Sequence, residues 1–117
     1  MAETTPFELV TPARVMLSKS VEMVVIPGSE GLFGVLPHHA PVLANLQRGV
    51  VEVHEGGKII DRIMIDGGVA DVTENGVTIL AERAENLDTA SSQEVRERAL
   101  ASTGADAEFL TLVAEAL

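Results

Sequence analysis

The three histidines are the side chains of this sequence that are best suited to metal binding. His38 and His39 are adjacent, and His54 lies in a stretch that alternates apolar and polar residues. Imidazoles that share a metal usually stand on one face of an element, whereas adjacent residues of an extended chain point to opposite sides. The sequence has no cysteine and no HExxH pattern. We therefore expect no metal site, and a local hydrogen bond or a partner contact for these histidines.

A glycine-rich segment, residues 27–34, has spaced glycines that could bring backbone N–H groups to a phosphate. A P-loop ends in Gly-Lys-Ser/Thr and continues into a helix. Here Val35-Leu36-Pro37 follows, which is extended, and the segment itself carries Glu30. The pattern favours a tight, exposed turn that presents Leu32 and Phe33 for docking.

Acidic residues offer a second kind of chemistry, because glycosidases use two carboxylates that converge on a cleft. Asp61, Asp66, Asp71 and Glu74 are spread along predicted hairpins, which indicates the solvated face of a sheet. No serine stands in a recognisable nucleophile elbow, so a small hydrolase has no residues to nominate. We expect no catalytic residue and no cofactor.

Charge and composition exclude further classes. The chain has 8 Lys+Arg against 18 Asp+Glu, a net charge of −10, and no Trp or Tyr. Nucleic acids and anionic lipid surfaces need clustered cations, and single strands need stacking aromatics. A hydrophobic content of 46% indicates a folded globular chain.

No segment of the sequence predicts a membrane span or a targeting signal. Residues 1–6 have neither a basic nor an apolar region, so we expect no signal peptide. The longest apolar runs are pieces such as residues 24–26, far below the ~18–20 residues that span a bilayer. We expect a soluble protein. If it belongs at a membrane, another protein must hold it there.

Most of the chain has the pattern of strands joined by tight turns. Predicted turns are residues 18–20, Gly56-Gly57 and Asn75-Gly76. The strands are predicted at residues 7–11, 14–17, 21–26, 49–55, 58–66, 69–74 and 77–84. Short strands at this spacing predict an all-β antiparallel sandwich or flattened barrel.

The composition changes near residues 85–88, beyond which Ala, Glu and Leu dominate. Ser91 and Glu94 fit a capping box, and Asp106 is predicted to cap a second helix. The apolar stripe of that helix is predicted at Phe109, Leu112, Val113, Ala116 and Leu117. We therefore divide the chain into a β-sandwich (residues 1–88) and a short C-terminal α-helical hairpin (residues 89–117).

One predicted strand, residues 58–66, is apolar on both faces. Ile60 and Met64 alternate with Ile59, Ile63 and Ile65. A sandwich strand normally buries one face, so the second apolar set indicates a binding surface, a surface covered by the tail helices, or both.

These residues carry a family resemblance. Residues 25–43, VIPGSEGLFGVLPHHAPVL, closely resemble the signature stretch of the epsilon subunits of F-type ATP synthases. Residues 67–82 resemble the end of that family's sheet, and residues 7–12 fit its first strand. The resemblance covers residues 5–88 in order and spacing.

The resemblance implies a non-catalytic rotor subunit that clamps the gamma subunit to the ring of membrane c subunits, so that proton flow drives ATP synthesis. It places the glycine-rich segment on the c ring, with Ser29, Glu30, Gly31, Leu32 and Phe33 in contact. It places His39 near gamma, and the two-faced strand adds Ile60 and Met64 to that contact. The implied location is the cytoplasmic side of a bacterial inner membrane, with a chloroplast-encoded copy left open.

The tail departs from the family pattern. Relatives that bind ATP read Ile/Leu-Asp-x-x-Arg-Ala, whereas here Leu87-Asp88 is followed by Thr89-Ala90-Ser91-Ser92, with serine in the place of arginine. With 29 residues after Asp88, each helix is about 18 Å long. We expect neither ATP sensing nor strong inhibition of hydrolysis by this tail.

A lipoyl- or biotinyl-type carrier is the alternative from another class, because Lys58 follows a hairpin turn in a small acidic β-domain. Lys58 lacks the flanking motif of those carriers, and intact mass would show an adduct.

Overall fold

The computed structural model describes residues 3–117 and confirms an all-β domain followed by two helices. The strands are β1 Thr5–Val10, β2 Val15–Val21, β3 Met23–Gly28, β4 Gly31–Val35, β5 Val42–Leu46, β6 Gly49–Glu55, β7 Lys58–Ile65, β8 Gly68–Thr73, β9 Gly76–Ala81 and β10 Ala84–Asn86. The helices are α1 Ser92–Ala101 and α2 Gly104–Ala116.

All ten strands belong to one sheet that curls into a nearly closed sandwich, in the order β10-β7-β6-β3-β5-β8-β9-β1-β2, with β4 paired to β3 alone. Neighbours run antiparallel except β1 and β9, which are parallel, contrary to the purely antiparallel prediction. The two ends of the sheet approach each other, and Lys19 of β2 forms an ion pair with Asp61 of β7 across the gap.

Side chains point alternately to the inside and the outside of the curled sheet, and those that point inward form the core. In β6, Val51 and Val53 are fully buried while Glu52 and His54 are only half-buried, as the pattern predicts. The same alternation buries Phe7, Leu9, Ile26, Ile63, Ile65, Val72, Val77 and Ile79. Gly56-Gly57 forms the predicted two-residue turn, with φ of 58° and 76°.

Two predicted turns are wrong. Residues 18–20 continue β2, because this part of β2 pairs with β1 without interruption, from Ser18 opposite Glu8 to Val21 opposite Thr5. The β8–β9 turn comprises Glu74 and Asn75, one residue earlier than predicted, since Gly76 already pairs with Thr73.

The helical hairpin has its own small core. Ser91 caps α1 as predicted, and its Oγ accepts a hydrogen bond from the Glu94 N–H at 3.4 Å. Thr103 occupies the N-cap position of α2, so the predicted cap at Asp106 is wrong and Asp106 lies in the first turn. The buried side chains of this cluster are Leu87, Val95, Phe109, Leu110, Val113 and Ala114.

Candidate functional site

The glycine-rich segment is a β-hairpin rather than a loop. Strands β3 and β4 pair from Val24 opposite Val35 to Gly28 opposite Gly31, so that only Ser29 and Glu30 form the turn. These two residues and Gly31 are exposed at the tip. The tip is therefore a fixed projection of the sheet rather than a mobile loop.

Leu32 and Phe33 lie in different environments. Leu32 is 70% exposed, whereas Phe33 is half-buried and packs against the main core. The prediction that both side chains point outward is wrong for Phe33. Phe33 instead anchors the hairpin, and Leu32 is the apolar side chain that the tip presents.

An open groove of about 600 Å³ lies beside the tip and is formed by residues 28–33 and 42–45. Its second wall is the beginning of β5, where Leu43 is 73% exposed and Val42 is also exposed. Along the edge of β5 that faces β3, the two strands pair only at Leu46, which lies opposite Gly28. The sequence prediction missed Val42 and Leu43, although both lie within the stretch that carries the family resemblance.

The histidine pair occupies the connection between β4 and β5. His38 has a left-handed backbone with φ of 65°, which is uncommon for a residue with a side chain, and its Nε2 lies 2.8 Å from Glu3 Oε2. Both ring nitrogens of His39 are enclosed without a hydrogen-bond partner. His54 lies elsewhere, with Nε2 3.2 Å from Glu52 Oε1. Within residues 3–117, no three histidine or acidic side chains converge as metal ligands.

Ile60 and Met64 lie on β7 but have different surroundings. The pairing of β6 with β7 shifts between Val53 and His54, so Ile60 has no partner residue and is 37% exposed. Met64 is half-buried and packs against the hairpin cluster, as does Val50 of β6. The tail thus covers one part of the apolar face and leaves the other open.

The acidic residues divide into two groups. Asp71 and Glu74 are exposed, as predicted. The predicted solvated face is wrong for Asp61 and Asp66, which are largely shielded from solvent. Asp61 faces Lys19, and Asp66 accepts hydrogen bonds from two arginines. No pair of these carboxylates is arranged for acid–base catalysis, since two are exposed on β8 and its turn and the other two are held by cations.

Comparison with known proteins decides the family. The family profile described as ATP synthase, Delta/Epsilon chain, beta-sandwich domain matches residues 4–87. The chain belongs to the epsilon chain family of ATP synthases. Members of this family are non-catalytic subunits of the central stalk of a membrane-bound complex. The carrier alternative built on Lys58 has no support from this family.

Individual relatives agree with the family profile. The ATP synthase epsilon chain of Rhodospirillum rubrum is 50% identical over 98 residues, which are 84% of this chain and 73% of that one. The epsilon chain of Paramagnetospirillum magneticum is 41% identical over 128 residues. This alignment covers 100% of this chain and 96% of the relative.

A solved assembly contains a chain of the same fold. It is the cryo-EM structure of the Euglena gracilis mitochondrial ATP synthase, OSCP/F1/c-ring, in rotational state 1, with a TM-score of 0.67 and 28% identity. That match covers 96% of this chain and 73% of the other. No helix among residues 3–117 is long and apolar enough to cross a membrane.

Proposed function

We propose that this chain works as the epsilon subunit in the rotor of an F-type ATP synthase, where it clamps the gamma subunit to the c ring. The observation that carries this role is the concentration of exposed apolar side chains at one end of a rigid sheet. Leu32, Val42 and Leu43 are all exposed around the groove beside the hairpin tip. Such a patch on a small acidic domain marks a surface that another protein covers.

The hairpin is built to transmit force. Its two strands are joined by a two-residue turn, and Ile26, Phe33 and Val35 fix it to the main core. Because close-packed interiors have low compressibility, a load on the tip moves the sandwich as a body. A subunit that couples rotation of a ring to gamma needs this property.

The c-ring contact is proposed at Ser29, Glu30, Gly31 and Leu32, with Phe33 as the anchor beneath them. Exposed Leu43 extends the contact along the groove. The gamma contact is proposed at His39 and Ile60. Met64 is available to gamma only where the helical hairpin does not cover it.

The proposed location is the cytoplasmic face of a bacterial inner membrane, where the chain is peripheral and is held by the c ring. The match to the bacterial epsilon chain of Rhodospirillum rubrum supports this placement. The helices of the tail, of 10 and 13 residues, are about 15 and 20 Å long. They are short for an arm that must reach the catalytic head, so we propose no strong inhibitory role for them.

Reconstitution tests the proposed role. The purified chain is added to ATP synthase from which the epsilon subunit has been removed, and cosedimentation and ATP-driven proton pumping are measured. We expect the chain to bind and to restore pumping, and a Leu32→Asp/Leu43→Asp variant to restore much less. Leu100→Asp is the matched control, since Leu100 is 89% exposed on α1, away from the groove. Failure of the unmodified chain to bind, or full pumping with the double variant, would contradict the proposal.

A further inference from the structure

Asp66 lies at the end of β7, where the sandwich meets the helical hairpin. Its side chain is 15% exposed and binds two arginines. Arg48 Nε donates to Asp66 Oδ1 at 2.9 Å, and Arg83 Nη1 donates to Oδ2 at 3.2 Å. One carboxylate thus positions two guanidinium groups that come from different connections of the sheet.

Both arginines also reach α2. Arg48 Nη1 donates to Glu108 Oε1 at 3.3 Å, and Arg83 Nε donates to Asp106 Oδ1. We call the five residues Asp66, Arg48, Arg83, Asp106 and Glu108 the ionic latch. It joins sandwich to hairpin through two arginines that share one acidic anchor.

Apolar contact across the same boundary is limited. Val50 and Met64 of the sheet pack against the hairpin cluster and remain half-buried, and Leu87, just after β10, is buried in it. Arg98 of α1 adds one further ion pair, with Glu85 of β10 at 2.7 Å. The helices pack closely on each other, whereas neither runs along a strand. The long side chains of the two latch arginines therefore connect the sandwich to the hairpin where apolar contact covers only part of the boundary.

The negative charge of α2 and of the chain as a whole makes the two arginines necessary for docking. Residues 104–116 contain Asp106, Glu108 and Glu115 and no basic residue, in a chain of net charge −10. Without the two arginines, α2 would face an acidic domain and be repelled from it. We propose that Asp66 positions Arg48 and Arg83 as an ionic latch that holds the helical hairpin on the sandwich, so that docking depends on ionic strength.

Ionic strength, rather than the protonation of arginine, is the variable that opens the latch. Arginine is charged at neutral pH in any environment of this kind. The hydrogen bond to Asp66 raises the pKa of Arg48 further, and the hydrogen bond to Asp106 raises the pKa of Arg83. Arg48, Asp106 and Glu108 are substantially exposed, so dissolved ions reach the latch. At 1 M salt the screening length falls to about 3 Å.

The experiment measures the distance between the two parts of the full-length chain. The sequence has no cysteine, so two introduced cysteines carry spin labels without interference. Ser18→Cys on β2 and Leu100→Cys on α1 are exposed and lie outside the latch. The longest dimension of the fold is 44 Å, within the range of double electron–electron resonance. We expect one distance at low salt and a second, longer population that grows about tenfold in 1 M NaCl.

Two variants and one control separate the latch from general charge effects. Asp66→Asn should show the longer population at low salt, and so should Asp106→Asn, which lies on an exposed helix surface and cannot disturb the main core. Glu115→Gln removes the same charge from α2 outside the latch and should leave the distance unchanged. A docked distance that survives Asp106→Asn and 1 M NaCl would overturn the proposal, because the apolar contacts of Leu87, Val50 and Met64 would then hold the hairpin.

The latch is tested on the isolated chain and does not rest on the proposed rotor function. A failed reconstitution with ATP synthase would leave the distance measurement unaffected. If the ionic latch and the rotor function are both correct, opening of the latch is the step that would expose Met64 to the gamma subunit.

Discussion

The ring of Phe33 lies directly against the α carbon of Gly28. A β carbon on Gly28 would lie 2.9 Å from Phe33 Cε1 and 2.9 Å from the carbonyl oxygen of Gly31. Only glycine leaves this space open, and the hairpin tip depends on it.

Gly28→Ala should lower the free energy of unfolding by about 1–3 kcal/mol, because the added methyl group displaces a packed ring and backbone. Gly34→Ala is the matched control, since its β carbon would meet Met23 Sδ at an ordinary 3.7 Å. We expect that control to change stability by less than about 0.5 kcal/mol. Urea unfolding of both variants provides the measurement, and equal effects would show that the ring is not tightly placed.

Leu32→Asp and Phe33→Asp should separate docking from folding. Leu32 is 70% exposed, so its substitution should leave the melting temperature nearly unchanged while it weakens ATP-driven proton pumping in the assembled complex. Phe33 packs on the core, so a carboxylate there should cost about 2–4 kcal/mol of stability. Thermal melts beside pumping assays test this pair. Similar melting losses in both variants would place Leu32 in the core as well.

His38→Gly should stabilise the chain relative to His38→Ala. Both substitutions remove the exposed contact with Glu3, but only glycine adopts a φ of 65° without steric cost. The expected difference in unfolding free energy is about 1 kcal/mol in favour of glycine. Chemical denaturation of the two variants measures it, and an alanine variant of equal stability would show that this backbone carries no strain.

A chain truncated after Asp88 should fold by itself. The main core, from Phe7 to Ala81, contains no residue of the helices, and Asp88 keeps its hydrogen bonds to Arg62. Uncovering Val50 and Met64 should cost about 1–2 kcal/mol. A cooperative thermal transition with β-type circular dichroism is expected. An aggregated or molten product would show that the tail is structurally required and that the division at residue 88 is wrong.

The chain should not bind ATP at millimolar concentration. An open cavity of about 510 Å³ lies between sandwich and hairpin and is lined by three arginines. Arg83 and Arg98 are already held by carboxylates, with Arg98 2.7 Å from Glu85, so a phosphate would have to displace those carboxylates to gain more than the single guanidinium of Arg14. Ser91, which replaces the arginine of ATP-binding relatives, is used as a helix cap. Calorimetry should record no saturable heat, and a micromolar dissociation constant would contradict this account.

The sequence by itself determined the elements whose signals are local. The alternation of β6, the Gly56-Gly57 turn and the Ser91 cap depend on residues within a few positions of each other, so they appear in the structure as predicted. The family resemblance of residues 25–43 likewise rests on a continuous stretch. That stretch pointed to the hairpin tip without showing which side chains are exposed there.

Only the tertiary structure decided the features that depend on distant partners. Residues 18–20 extend β2 because β1 pairs with them, and β1 lies parallel to β9, a strand about 70 residues away in the chain. The predicted stripe of α2 is right for Phe109 and Val113 and wrong for Ala116 and Leu117, which are exposed. Packing in the hairpin cluster buries Leu110 and Ala114 with Phe109 and Val113 instead.

The same reason explains the acidic residues. Asp66 and Asp71 look alike in the sequence, five residues apart in two predicted strands that follow each other along the chain. The fold brings Arg48 and Arg83 to Asp66 from 18 and 17 residues away, while Asp71 remains exposed. Ion pairs between residues so far apart in the chain have no local pattern, because chain folding alone sets the distance between the charges.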